Sequence, residues 1–172
     1  MKKILLSLLT IGALEAADHN LYQHSVEAVA SYSFNSDDMM LKDGSGWGLR
    51  YNYNLSPLEA WMPGAYQFAF DYQFKQDYVG GGSSALYRWG VNALWYADNP
   101  SPLTPFALLG VGAQFFSDNL HGADDGLFAA VGGGVEYQLR GDFSIFGEAK
   151  YLYGGDESGF LTGIGIKYSF GQ

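Results

Sequence analysis

Polar and apolar residues alternate singly along most of this chain, most clearly between Gly44 and Leu55. Trp47, Leu49, Tyr51, Tyr53 and Leu55 fall on one side of an extended backbone there, and Gly48, Arg50, Asn52 and Asn54 on the other. The same period of two predicts seven further strands: Tyr22 to Phe34, Ala65 to Lys75, Ser84 to Tyr96, Pro105 to Phe116, Leu127 to Leu139, Phe143 to Tyr153 and Gly159 to Phe170. Each is near the length of about 9 to 11 residues with which a tilted strand crosses a bilayer. Only the fifth is blurred, at Phe106 and Leu108. The links are rich in Gly, Pro, Asn, Asp and Ser, and none is long enough to hold another domain.

Ahead of the strands, Lys2 and Lys3 precede an apolar run from Ile4 to Ala13 and the small residues Ala16 and Ala17. This is the layout of a secretory signal peptide, and it predicts a leader over residues 1–17 followed by one domain over 18–172. The run is too short to span a bilayer as a helix, and no later window is apolar enough to do so.

Single alternation fits a soluble barrel with an apolar core and a membrane barrel with a polar lumen equally well, so volume must separate them. Eight strands enclose little more than their own side chains. The chain has 4 Trp, 13 Tyr and 12 Phe, mostly on the apolar faces, and these rings would overfill so narrow a bore. The opposite faces carry Gly, Ala, Ser and Asn, which fit. The expected fold is therefore all-β: an eight-stranded, antiparallel, up-and-down transmembrane β-barrel. Trp47, Tyr53, Tyr66, Phe74, Tyr87 and Trp95, at the two ends of the apolar faces, would form lipid-facing aromatic girdles.

The strand charges Glu27, Arg50, Asp71, Lys75, Arg88, Glu136, Glu148, Lys150 and Lys167 all fall on the small-residue faces, which places them in the lumen. They must pair there, because an uncompensated buried ion costs several kcal/mol. With an even number of strands both termini lie on one side, the periplasmic side for a secreted chain, and the first, third, fifth and seventh links face outward. A net charge of −9 with a pI near 4.5 excludes nucleic acid as a partner, and the absence of cysteine excludes disulfides and thiolate metal sites.

Three stretches are similar to the barrel of OmpA-type outer-membrane proteins: Pro105-Phe-Ala-Leu-Leu-Gly-Val-Gly, Gly132-Gly-Gly-Val-Glu-Tyr, and the ending Gly163-Ile-Gly-Ile-Lys-Tyr-Ser-Phe-Gly-Gln. In order and at this spacing, along essentially all of the mature sequence, they resemble that family. The resemblance implies a cluster of lumen ion pairs that limits a narrow, porin-like conduit, with Arg50, Arg88, Glu136, Glu148 and Lys150 as counterparts by strand and face. It also implies that Tyr168 and Phe170 belong to a signal read by the barrel-assembly machinery. The other expected partners are outer-membrane lipid and lipopolysaccharide. Such barrels typically continue into a peptidoglycan-binding domain, whereas this sequence stops at Gln172, as a barrel-only relative or as the barrel part of something longer.

Material for catalysis is poor. Some eight-stranded barrels modify lipid A, which takes a His, a Ser and a carboxylate near the outer leaflet. Here His19 lies by the leader, His24 and Ser25 point to opposite faces, and His121 stands in an acidic link. Glycines 110 and 112, 132 and 134, and 163 and 165 recur within strands, which reads as a lumen face and not as a phosphate loop. The link from Ser117 to Gly126 collects oxygen ligands but matches no known calcium loop. The expectation is a non-enzymatic barrel without metal or cofactor, structural in role; the alternative is an adhesin or surface receptor working through its acidic outer links.

Overall fold

The computed structural model describes residues 22–35, 42–55, 61–78, 81–98, 101–118, 125–139, 141–154 and 158–171. The proposed leader, His19 and His121 lie outside them. Eight strands follow in order: β1 (His24–Asn35), β2 (Gly44–Asn54), β3 (Ala65–Asp77), β4 (Ser83–Tyr96), β5 (Leu103–Phe116), β6 (Gly126–Gln138), β7 (Phe143–Tyr153) and β8 (Gly159–Phe170). Each pairs antiparallel with the next, and β8 pairs with β1, closing the sheet into a barrel without edges.

The pairing register fixes the size of the bore. Paired residues lead round the wall from Asn35 through Gly159, Leu152, Ala130, Gly110, Asn92, Gln67 and Asn52 to Ser25, ten positions back along β1. With strands about 4.8 Å apart and a rise of about 3.3 Å per residue, this stagger tilts them about 40° from the axis. The wall then lies about 8 Å from the axis, leaving room for side chains and little else.

The alternation holds along most of every strand. On β2 the outward Trp47, Leu49 and Tyr51 are exposed, while Gly46, Gly48, Arg50 and Asn52 are buried. Aromatic residues gather at both ends of the outer surface, including Tyr53 and Tyr66 where β1 begins and β8 ends (the terminal end), and Trp47, Phe74 and Tyr87 at the opposite, distal end. Trp95 is half-buried, and its indole N–H donates to the carbonyl of Trp61 at 2.9 Å. Small residues do not fill the lumen alone. Phe106, Phe128 and Phe146 point inward, each over a glycine of a neighbouring strand: a Cβ would stand 2.6 Å from the Phe106 ring at Gly134, 2.5 Å from the Phe128 ring at Gly112, and 2.6 Å from the Phe146 ring at Gly165. Ala65, Leu94, Leu108, Phe128, Ala130, Leu152 and Leu161 join in a buried apolar cluster inside the barrel.

The distal mouth is narrowed by a second cluster of Tyr78, Leu86 and Phe116. Tyr78 starts the turn from β3 to β4, where its N–H donates to the Gly82 carbonyl at 2.9 Å and Gly81 N–H donates back to Tyr78 at 3.1 Å. Gly81 and Gly82 both take positive φ, which the tight turn needs and side chains resist.

Candidate functional site: the lumen charge network

Eight of the nine strand charges expected in the lumen are buried there: Glu27, Arg50, Asp71, Arg88, Glu136, Glu148, Lys150 and Lys167. The ninth, Lys75, is not. A bulge breaks the β3–β4 register between Gln73 and Gln76, so that Phe74 and Lys75 are both exposed outside the wall and Gln76 takes the inward place. Strict alternation misses that extra residue. The correction changes the balance from five cations against four anions to four against four.

Four of these groups form one network across the bore. Arg50 on β2 donates through Nη2 to Asp71 Oδ1 on β3 at 2.6 Å and to Glu148 Oε1 on β7 at 3.2 Å. Lys150, two residues beyond Glu148 on the same face of β7, donates to Asp71 Oδ2 at 3.1 Å. Its Nζ lies 3.9 Å from Glu148 Oε1. Two cations and two anions thus alternate around a closed circuit, and contacts from β2 and β3 to β7 run through the middle of the barrel. Arg50 Nη1 also donates to the carbonyls of Phe70 and Leu49, at 3.0 and 3.2 Å, which ties the guanidinium to the wall. Glycine at 48 makes room: a Cβ there would stand 2.5 Å from Arg50 Nη1 and 2.6 Å from Asp71 Oδ1.

A second group lies nearer the terminal end. Lys167 on β8 donates to Glu136 Oε2 on β6 at 2.9 Å, and its ammonium sits 5.3 Å from the centre of the Tyr96 ring. Glu27 is held by amides: Asn52 Nδ2 donates to Oε1 at 2.5 Å and Gln67 Nε2 to Oε2 at 3.3 Å. Asn92 Nδ2 in turn donates to Gln67 Oε1 at 2.8 Å. Towards the distal end, Arg88 is buried opposite Asp71 and Gln114 in the register, and Gln73 and Gln76 donate to Ser31 and Ser33 at 3.0 and 3.1 Å. None of these amides could be assigned from the sequence, because an amide on a polar face looks the same whether it faces water or a carboxylate.

This arrangement sets cations against anions at close range, in the Arg50–Asp71–Lys150–Glu148 circuit and the Lys167–Glu136 pair. Removing any one member strands its partners. His24 lies on the outer surface against Phe170 and Tyr53, with ring centres 5.6 and 5.5 Å away, and its Nδ1 is 2.8 Å from the Tyr51 hydroxyl. Ser25 is buried inside and accepts from Asn52, so the wall separates this His from this Ser. Tyr168 and Phe170 close β8 on the outside, stacked at 6.0 Å.

The chain matches no known family profile. An uncharacterized protein of Salmonella typhimurium, YaiT, is 28% identical over 152 residues, covering 74% of this chain and 15% of that protein. A putative uncharacterized protein YaiT of Escherichia coli K12 is 25% identical over 170 residues, 87% of this chain and 18% of that protein. The chain thus spans 15 to 18% of the length of these curated relatives. Among solved structures, the outer-membrane protein OprG of Pseudomonas aeruginosa aligns with a TM-score of 0.60 at 12% identity, over 88% of this chain and 97% of that one. Neisserial surface protein A aligns with 0.58 at 17% identity, over 86% and 96%. The outer-membrane enzyme PagL aligns with 0.51 at 13% identity, over 84% and 99%. The shared property is the fold, and the fold is that of outer-membrane β-barrels.

Proposed function

We propose that this chain is an integral outer-membrane barrel with a structural, membrane-integrity role, both termini periplasmic, and a lumen that passes at most a narrow flow of ions. Kinship with OmpA-type barrels and insertion by the barrel-assembly machinery through Tyr168 and Phe170 belong to the same proposal. One observation carries it: the wall is apolar outside around its whole circumference, and its buried charges balance inside. A soluble monomer rarely exposes an apolar patch beyond a few hundred Å². Lipid removes that cost, and four cations facing four anions make the inverted interior tenable.

Planar-bilayer recording tests the lumen. The network across β2, β3 and β7, with the apolar mouth of Tyr78, Leu86 and Phe116, predicts small and infrequent conductance steps. Large, open, ohmic channels of general-porin size would contradict it.

The reading as an adhesin or receptor draws on the distal rim, where Asp43, Asp77, Asp118 and Asp125 are exposed. Replacing the four distal links with short turns should then abolish cell or ligand binding while leaving folding intact.

A further inference from the structure

Among the described residues, the ring that stands most open is not on a strand. Trp61, 75% exposed, lies in the β2–β3 link at the terminal end. It comes shortly before Gly64, whose N–H donates to the Leu94 carbonyl at 2.7 Å and starts the ladder of β3 with β4. One hydrogen bond sets the direction of the link: from the outer face of β4, the Trp95 indole N–H donates to the Trp61 carbonyl at 2.9 Å. The link therefore lies along the outside of the wall at this point and not across the mouth. Trp95 is half-buried, while Trp89 and Val91 on the same face are exposed. Tyr53 and Tyr66, on the two strands that the link joins, are exposed at the same end.

The two indoles differ in what they need. An unpaired N–H is costly in hydrocarbon, so a Trp that lies there must bring a partner. Trp95 has one, supplied by its own chain. The Trp61 indole donates to no described residue, and its ring is open. A large ring with one polar edge is best placed where acyl chains meet headgroups.

We propose that Trp61 anchors the β2–β3 link in the headgroup region of the periplasmic leaflet, and that Trp95 lies deeper, among the acyl chains. The partner is the phospholipid interface, and the proposal rests on the membrane reading and orientation given above. Trp61 continues the terminal belt of Tyr53 and Tyr66 onto a link that would otherwise project into the periplasm. Trp95, expected in that belt from parity alone, is released from it by the carbonyl of residue 61.

The test uses the full chain with Trp47→Phe and Trp89→Phe, folded into phosphatidylcholine vesicles that carry bromine either near the carbonyl end or near the methyl end of the acyl chains. Adding Trp61→Phe leaves Trp95 as the only tryptophan and keeps the carbonyl it binds. The signal that disappears with Trp61→Phe should be lost mainly to the shallow bromines, and the ratio of deep to shallow quenching should be higher for the remaining Trp95. Equal or reversed ratios would overturn the two depths. A Trp61 signal untouched by either set would overturn the anchor, since the ring would then face water or a periplasmic partner. Heat-modifiable migration checks each fold; should the double variant misfold, Trp61→Phe in the otherwise unaltered chain gives the Trp61 profile by difference. A chain that does not fold into vesicles sinks the membrane reading itself, whereas one that folds with Trp61 in water sinks this anchor alone.

Discussion

The β2–β3 wall and the β5–β6 wall solve the same packing problem in opposite ways. On β2 and β3 the large rings Trp47, Tyr51, Phe68 and Phe70 stand outside, and Arg50, Asn52, Gln67, Asp71 and Gln73 are buried within. On β5 and β6 the outside is largely aliphatic, with Leu109, Val111, Leu127, Val131 and Val135 exposed beside the one ring of Phe115, while Phe106, Leu108, Phe116 and Phe128 point inward. One wall is held to the rest by hydrogen bonds and charge, the other by ring packing against glycine. A barrel of this radius has room for one or the other at each level but not both, and the network reaching from β2 and β3 to β7 shares the bore with an apolar cluster drawn from β3 to β8.

Breaking the polar side should have the largest effect. Arg50→Ala leaves Asp71 without one of its two cations and Glu148 without its close partner, and it should lower unfolding free energy by about 4 kcal/mol, read from urea titration in vesicles. A loss under about 1 kcal/mol would mean that water screens the network and that the lumen is open.

On the other wall, Phe128→Ala removes the ring that covers Gly112 and approaches Gly90, and should cost about 3 kcal/mol in the same assay. Phe68→Ala sharpens the contrast. Its ring is 55% exposed on the outside, where acyl chains can refill the space, so the expected loss is nearer 2 kcal/mol. An order reversed between these two would argue that Phe68, and not Phe128, is the core residue.

The smallest effect belongs to the terminal end. The Tyr22 hydroxyl donates to the Asp142 carboxylate, and that bond to an anion holds the phenol above its usual range. A raised folded-state value stabilises the fold fully below the ordinary tyrosine pKa of about 10 and loses that contribution as pH rises through the raised value. Tyr22→Phe should therefore narrow the stability difference between neutral and strongly alkaline pH, measured by thermal melts, while leaving the β-sheet spectrum unchanged.

The two walls also differ in how legible they are. On β2 and β3 the faces contrast sharply, and the strands could be read from residue types alone. On β5 both faces are apolar, so Phe106 and Leu108 obscure the period although they obey it: Phe106 is half-buried, Leu108 is buried, and both point inward. The inner rings escape notice for the same reason, since a Phe on the lumen face makes sense only once its glycine partner on the next strand is known. Lys75 is misplaced by one bulge, because parity beyond an inserted residue inverts. Strand identity and sidedness depend on local pattern, whereas the ion pairs depend on the ten-residue stagger, which brings Arg50 within reach of Glu148 at 98 positions' separation and leaves no mark in either strand.

The central claim is that the ringed side of the wall meets hydrocarbon. Trp89, 58% exposed on the outside of β4, is the reporter, in a variant whose other tryptophans are replaced by phenylalanine. The chain is folded into vesicles whose lipids carry bromine on the acyl chains, and its fluorescence is compared with that in unbrominated vesicles. Strong quenching is the predicted result. Fluorescence unchanged by bromine, from a chain that stays folded and monomeric in buffer without lipid or detergent, would contradict the account.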